Sequence, residues 1–305
     1  MSRTALGYTY AAIGAVLWAT TGLFYKVLIA LGLPGTHIVT LRVSLAALLI
    51  GAAALARDRT LLRIQARDVP LFIAQGILGV CAFYYLYFLA VYYTTVSTAV
   101  IFLHTAPLYV MVISALIFRE RVTAVKIVAI AVALGGVALL MTSGGGRLAV
   151  NPLGTACGLG AGFLYALLNT FGRAGLERYR PWTVVLYSLG FGGAFYLLWT
   201  APTLYRTLRA LTGAGWLVLA GLVLVPTVTA YMFYFSSLTM IEVSRASLVA
   251  TLEPFAGALL GCLALGERLT SWQLAGGALT IAAVLMVQAG SRRKPASRTA
   301  GKHMD

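Results

Sequence analysis

The sequence predicts an all-α membrane protein of ten transmembrane helices, arranged as two inverted five-helix repeats. Three observations predict it. The 305 residues are 60% apolar and only 10% charged, whereas soluble chains carry about 25% charged residues. The apolar residues gather into runs of about 20, the length that crosses a bilayer core. The chain also repeats itself at an offset of 147 residues.

Taken in order, the runs are Leu6–Leu31, Thr36–Leu55, Val69–Tyr93, Val96–Phe118, Thr123–Met141, Pro152–Arg173, Trp182–Thr200, Gly215–Met240, Val243–Leu265 and Ser271–Ala289. The first is too long for a signal-peptide core and carries Trp18 and Lys26, so it reads as a retained span. Turn formers separate several runs: Leu33-Pro34-Gly35, Ser143-Gly144-Gly145-Gly146 and Asn151-Pro152. The connections Tyr93–Val96 and Met240–Val243 leave almost no loop, so the helices they join are antiparallel neighbours.

Lys and Arg placement sets the orientation. With the N-terminus inside, sixteen of the 23 basic residues fall on the cytoplasmic side and four outside; Lys26, Arg42 and Lys126 lie within spans. Both termini are therefore expected in the cytoplasm, with the basic segment 291–305 as a polar tail. The net charge of +15 belongs to membrane orientation and lipid headgroups. It forms no continuous basic face, so nucleic acid is excluded as a partner.

The three cysteines, Cys81, Cys157 and Cys262, lie in apolar runs with no Cys or His at ligand spacing. They read as packing residues, and no metal is expected. There is no P-loop and no nucleophile with an adjacent base and orienting group. The chain is not read as an enzyme, and no cofactor is expected.

The repeat organises everything else. Pro107 with Glu120-Arg121-Val122-Thr123 matches Pro254 with Glu267-Arg268-Leu269-Thr270. Leu6-Gly7 matches Leu153-Gly154, Phe24 matches Phe171, and Tyr84, Tyr87 and Phe88 match Tyr231, Tyr234 and Phe235. The halves are 1–148 and 149–290. Each holds five spans, an odd number, so the two enter the membrane in opposite senses. Such a repeat allows two related conformations around a site at the repeat interface.

Leu17-Trp18-Ala19 with Lys26, Leu41-Arg42-Val43, and the two proline motifs followed by Gln273 and Gly276-Gly277 resemble EamA-type members of the drug/metabolite transporter superfamily, over Leu6 to Gln288. The resemblance implies ten helices in two inverted halves, termini in the cytoplasm, a bacterial inner-membrane location and transport of small metabolites. Characterised members include exporters of amino acids. Four-span relatives use a carboxylate in their first span; here Thr20-Thr21 stand there, so their proton coupling does not carry over.

Several residues are candidates for a central site. An acid at a helix centre costs about 2.5–3.5 kcal/mol in lipid, which marks Glu253 for a substrate ammonium or a coupling proton, against a purely structural ion pair. His104 is a hydrogen-bonding contact, a proton carrier or a satisfied buried imidazole. Arg42 holds a substrate carboxylate or ties helices together. Trp18, Tyr84, Tyr87, Tyr165, Asn169, Tyr231 and Tyr234 would line an aromatic cavity with polar donors, or pack as core. Pro107, Pro226 and Pro254 are expected to break or kink their helices. The paired glycines allow close helix contact and offer a face for a homodimer. The expected partners are a small-molecule substrate and the lipid bilayer. The function expected is export of an amino-acid-like or aromatic metabolite by alternating access. A permease for nucleobases, cofactors or other organic metabolites, or a non-transporting scaffold, are the alternatives.

Overall fold

The computed structural model describes residues 2–143, 148, 150–265 and 268–292. The predicted glycine turn at 144–146, Glu267 and the tail beyond 292 lie outside the described residues. Among these, ten helices are long and apolar enough to cross a membrane: α1 (Arg3–Ala30), α2 (Gly35–Arg57), α3 (Ala66–Tyr93), α4 (Val96–Ile117), α5 (Ala124–Ser143), α6 (Pro152–Leu176), α7 (Pro181–Ala210), α8 (Gly213–Ser237), α9 (Val243–Ala264) and α10 (Ser271–Gly290).

The predicted bounds hold to within a few residues except in α7. Its apolar run ends at Thr200, yet the helix continues through Pro202 to Ala210. A proline inside a helix costs about 3 kcal/mol or more, and two tertiary contacts oppose that cost. Leu204 joins a buried cluster with Leu28, Ile38, Leu41 and Leu219. His37 of α2 bonds Thr207 Oγ1 at 2.6 Å and Thr203 Oγ1 at 2.9 Å. Arg206 and Arg209 therefore sit on the last turns of a helix, not in a loop.

The halves interleave. α2 packs along α7 and α5 along α10, each against its own repeat counterpart. α1 packs along α8, and the equivalent pair, α6 with α3, repeats that contact. This is the pattern of a two-fold axis lying in the membrane plane. α5 and α10 approach each other closely: a Cβ on Gly136 would stand 2.7 Å from the Gly276 carbonyl oxygen, and a Cβ on Gly276 the same distance from that of Gly136. Only glycine permits this contact.

Helix interruptions follow the repeat to the residue. α4 is interrupted between Leu103 and Ala106, and α9 between Ala250 and Glu253. Pro107 and Pro254 are each the second residue of the following half, where a missing N–H does no harm. The proline thus opens the new half, and the break itself lies three residues before it. The freed turns tighten: Thr105 N–H donates to Phe102 O and Thr251 N–H to Leu248 O, both at 3.1 Å. The Thr105 and Thr251 hydroxyls take up the same carbonyls at 2.6 and 2.7 Å. In lipid, such groups need protein partners.

Two π-helical segments, Ile77–Ala82 in α3 and Leu224–Thr229 in α8, are also related by the offset of 147. Pro226 lies in the second and does not end its helix. Having no N–H, it leaves Leu222 O unbonded, and the Thr227 hydroxyl supplies that bond at 2.8 Å. One interruption has no counterpart: α1 bends at Thr20, whose hydroxyl bonds Leu17 O at 2.7 Å.

Polar ties close the end of the bundle that carries the first residues of α1. Glu120 receives Val243 N–H at 2.8 Å and the Ser244 hydroxyl, so a carboxylate from the first half caps α9 of the second. Lys126 pairs with Glu120 at 3.4 Å and Glu242 at 2.9 Å, and Arg245 pairs with Glu242 at 2.5 Å. Burial alone would raise the Glu242 carboxyl, but the bonds and charges of Lys126 and Arg245 outweigh it and hold it below its ordinary value. Asp68 joins Arg178 at 2.5 Å and Tyr179 at 2.6 Å, tying the first turn of α3 to the α6–α7 loop.

Glu120→Ala leaves the first N–H groups of α9 and part of Lys126 unpartnered. We expect a loss of about 1–3 kcal/mol, read as a lowered midpoint of thermal unfolding in detergent. An unchanged midpoint would show that the cap does not support the closed end.

Candidate functional site

The two helix breaks, at 104–105 and 251–252, flank one cavity of about 790 Å³. It reaches from the middle of the bundle to the end opposite the ionic ties, where Gly35, Val91, Val96, Met141 and Gln273 border its mouth. The structure is thus open at one end and closed at the other.

Of the residues singled out in the sequence, Trp18, Tyr84, Tyr87, His104, Tyr165, Tyr231 and Glu253 line the cavity together, and so does Arg42. Asn169 and Tyr234 do not. Both are 1% exposed and stand behind Trp18. The Tyr234 hydroxyl donates to Asn169 Oδ1, and Asn169 Nδ2 donates to Tyr165 O at 2.6 Å. The Trp18 ring lies 4.8 Å from that of Tyr234, 5.4 Å from Tyr231 and 6.3 Å from Tyr165. These two residues therefore orient the wall and are not part of its surface.

The inverted repeat explains the difference. α3 runs toward the open end, so Tyr84, Tyr87, Phe88 and Val91 are progressively closer to the mouth. α8 runs toward the closed end, so the equivalents Tyr231, Tyr234, Phe235 and Leu238 sink into packing. Tyr231 still touches the cavity, while the last three are each 1% exposed.

Besides its tyrosines, four charged or titratable side chains line this aromatic chamber: Arg42, Glu253, His104 and Lys26, the last of them exposed. Arg42 is 3% exposed. Its Nε donates to Thr227 Oγ1 at 2.7 Å and its Nη2 to Pro226 O at 3.4 Å, so the π segment of α8 holds it. Its guanidinium carbon lies 5.6 Å from the centre of the Tyr84 ring, a cation–π distance. Glu253 is the first residue of its half of α9, where the helix dipole offsets part of the cost of a charge in lipid. It is half-buried, and it makes no ion pair among the described residues. His104 Nδ1 lies 2.8 Å from Val100 O, so the ring proton sits there when the imidazole is neutral.

The carbonyl of Leu103, which Pro107 cannot bond, lies against α6. A Cβ on Gly162 would stand 3.2 Å from Leu103 O and 2.9 Å from Phe102 O. Close helix packing thus covers this stretch of freed backbone.

Tyr25, Phe83 and Gln273 also line the cavity and were missed in the sequence. Tyr25 stands seven residues after Trp18, and Phe83 four before Tyr87, so both share a helix face with a chosen aromatic. Gln273 carries no such signal, because its place depends on how α10 meets the mouth.

Asn169→Leu removes the acceptor of the buried Tyr234 hydroxyl. We expect a destabilisation of about 1–3 kcal/mol and a shift of Trp18 fluorescence, with Asn169→Asp retaining the acceptor and most of the signal. An unaltered emission spectrum in Asn169→Leu would remove Asn169 from the support of the wall.

Comparison with known proteins adds to this geometry. The family model described as the EamA-like transporter family matches twice, over residues 5–142 and 152–288. An uncharacterised transporter of Archaeoglobus fulgidus is 32% identical over 216 residues, covering 70% of this chain and 76% of that protein. A probable terminal-alkyne amino-acid exporter of Streptantibioticus cattleyicolor is 25% identical, covering 87% and 88%. A protein of known crystal structure superposes with a TM-score of 0.80 at 20% identity, covering 96% of this chain and 98% of that one.

Proposed function

Because the chain belongs to the EamA-like transporter family, we propose that it is a secondary transporter that exports a small amino-acid-like or aromatic metabolite by alternating access between its two inverted halves. The observation that carries this is a cavity, open at one end, in which Arg42 and Glu253 stand unpaired with each other among aromatic walls. A volume of about 790 Å³ lies within the usual range of small-molecule sites. Relatives named as amino-acid exporters point the same way. The Lys and Arg bias puts the closed, terminus-bearing end in the cytoplasm of a bacterial inner membrane, so this conformation faces outward.

Trp18, Tyr84, Tyr87, Tyr165 and Tyr231 supply the contact surface for the substrate in this reading. Glu253 and His104 are the groups that would exchange a proton against it, and without a P-loop the driving force is a gradient. In the inward-facing state the roles of the halves exchange. Tyr234, Phe235 and Leu238 would then line the cavity, and the ties around Glu120 and Glu242 would part.

Flux of labelled aromatic amino acids into proteoliposomes tests the function, and empty vesicles must show none. Glu253→Gln should cut that flux by about tenfold or more, the worth of one charge-assisted bond, while the protein remains folded and inserted. Wild-type flux in this variant would remove Glu253 from the mechanism. Alternating access itself predicts that a cysteine at position 88 reacts with an impermeant thiol reagent from the outside. A cysteine at 235 should react only from the cytoplasmic side, and more rapidly during turnover. Equal reactivity of both from one side would sink alternating access.

A further inference from the structure

Resting on the reading of this chain as a transporter, we propose that its cavity requires two opposite charges on one substrate: Arg42 receives a carboxylate, Glu253 receives an ammonium group, and the π-turn of α8 positions Arg42 for the task. Thr227 is the positioning residue. Its hydroxyl proton is committed to Leu222 O at 2.8 Å, so toward Arg42 Nε, 2.7 Å away, it can only accept. Pro226 O takes Nη2 at 3.4 Å from the same turn. Neither contact engages Nη1, and neither neutralises the guanidinium charge.

Glu253 lines the same cavity and lies within electrostatic reach of Arg42, yet the two form no ion pair. Had they paired, each would have answered the other, and the chamber would suit uncharged solutes. Held apart, they leave one buried positive charge and one negative charge unanswered in an aromatic enclosure, while the other cation of the lining, Lys26, is exposed to solvent. A solute bearing one charge leaves the other protein charge desolvated and unpaired, which is costly; a zwitterion satisfies both. The repeat does not demand this pair. The positions equivalent to Arg42 and Glu253 are Leu189 and Ala106, both apolar, so the two charges are additions to a scaffold that folds its other half without them. The walls of Trp18, Tyr84 and Tyr231 fit a flat or branched apolar body attached to the two charges.

The test compares ligand protection of the purified protein against heat, using three probes of one body: L-phenylalanine, phenethylamine and 3-phenylpropanoate. L-leucine, isopentylamine and 4-methylpentanoate form a second set with a smaller body. In at least one set the zwitterion should half-saturate at a concentration about tenfold or more below both analogues, as expected where a site must pair buried polar groups. Arg42→Gln should erase the preference over the amine, and Glu253→Gln the preference over the acid. Thr227→Val should weaken the first preference and leave the second, and Thr227→Ser should restore it. A merely structural role for Thr227 would lower protection by all probes alike. If Arg42→Gln does not fold, Arg42→Lys and Thr227→Val carry the same comparison.

Analogues that match the zwitterion in both sets overturn the proposal, as does a variant that weakens all three probes equally. Flux separates this proposal from the transport reading. Singly charged analogues crossing proteoliposomes as fast as the zwitterion would sink the two-charge requirement and leave transport standing. Selective binding without flux of any probe would do the reverse.

Discussion

A bilayer core offers no water to an interrupted helix, and the architecture of this protein depends on how it meets that constraint. Among the described residues, five places inside the spans, away from their ends, depart from regular α-helix: the bend at Thr20, the breaks at 104–105 and 251–252, and the two π segments. At three of them a threonine hydroxyl bonds a nearby carbonyl of the same span: Thr20, Thr105 and Thr251. In α8 the Thr227 hydroxyl does the same and also receives Arg42. Irregular backbone is tolerated in membranes where protein or a cavity surrounds it, and each of the five borders the cavity or a residue that lines it. The polar centre and the helix defects are thus one feature.

The same constraint explains the asymmetry of an almost symmetric chain. Both halves fold the same five helices with matching breaks in α4 and α9, and the pairs α1–α8 and α6–α3 repeat one contact. A single conformation can nevertheless open at only one end. The ties of Glu120, Lys126, Glu242 and Arg245 hold one end shut, and equivalent aromatics acquire opposite surroundings. Phe88 faces the cavity while Phe235 is packed at 1% exposure. Identical residue types at matched positions therefore report the state of the molecule as well as its fold.

Most of the fold was legible in the chain because lipid imposes a length and a composition on each span, and because a register of 147 residues survives in both halves. The α7 extension was not legible, since Pro202 signals an end locally and only His37 and the Leu204 cluster show that the helix continues. Nor were the π segments. Nothing in Ile77–Ala82 marks an added residue, and Pro226 marked a disturbance without saying that the helix would pass through it.

By itself the sequence determined that the protein crosses a membrane ten times, that its halves are inverted copies, and that Arg42, His104 and Glu253 are costly enough in lipid to need a reason. Tertiary structure alone decided which aromatics form a surface and which form a core, because that depends on which end of the bundle is open. It alone turned Asn169 and Tyr234 from cavity candidates into a support behind Trp18. And it alone showed that Arg42 and Glu253 share a chamber without pairing, since the distance between charges on α2 and α9 is set by helix packing, which no local pattern encodes.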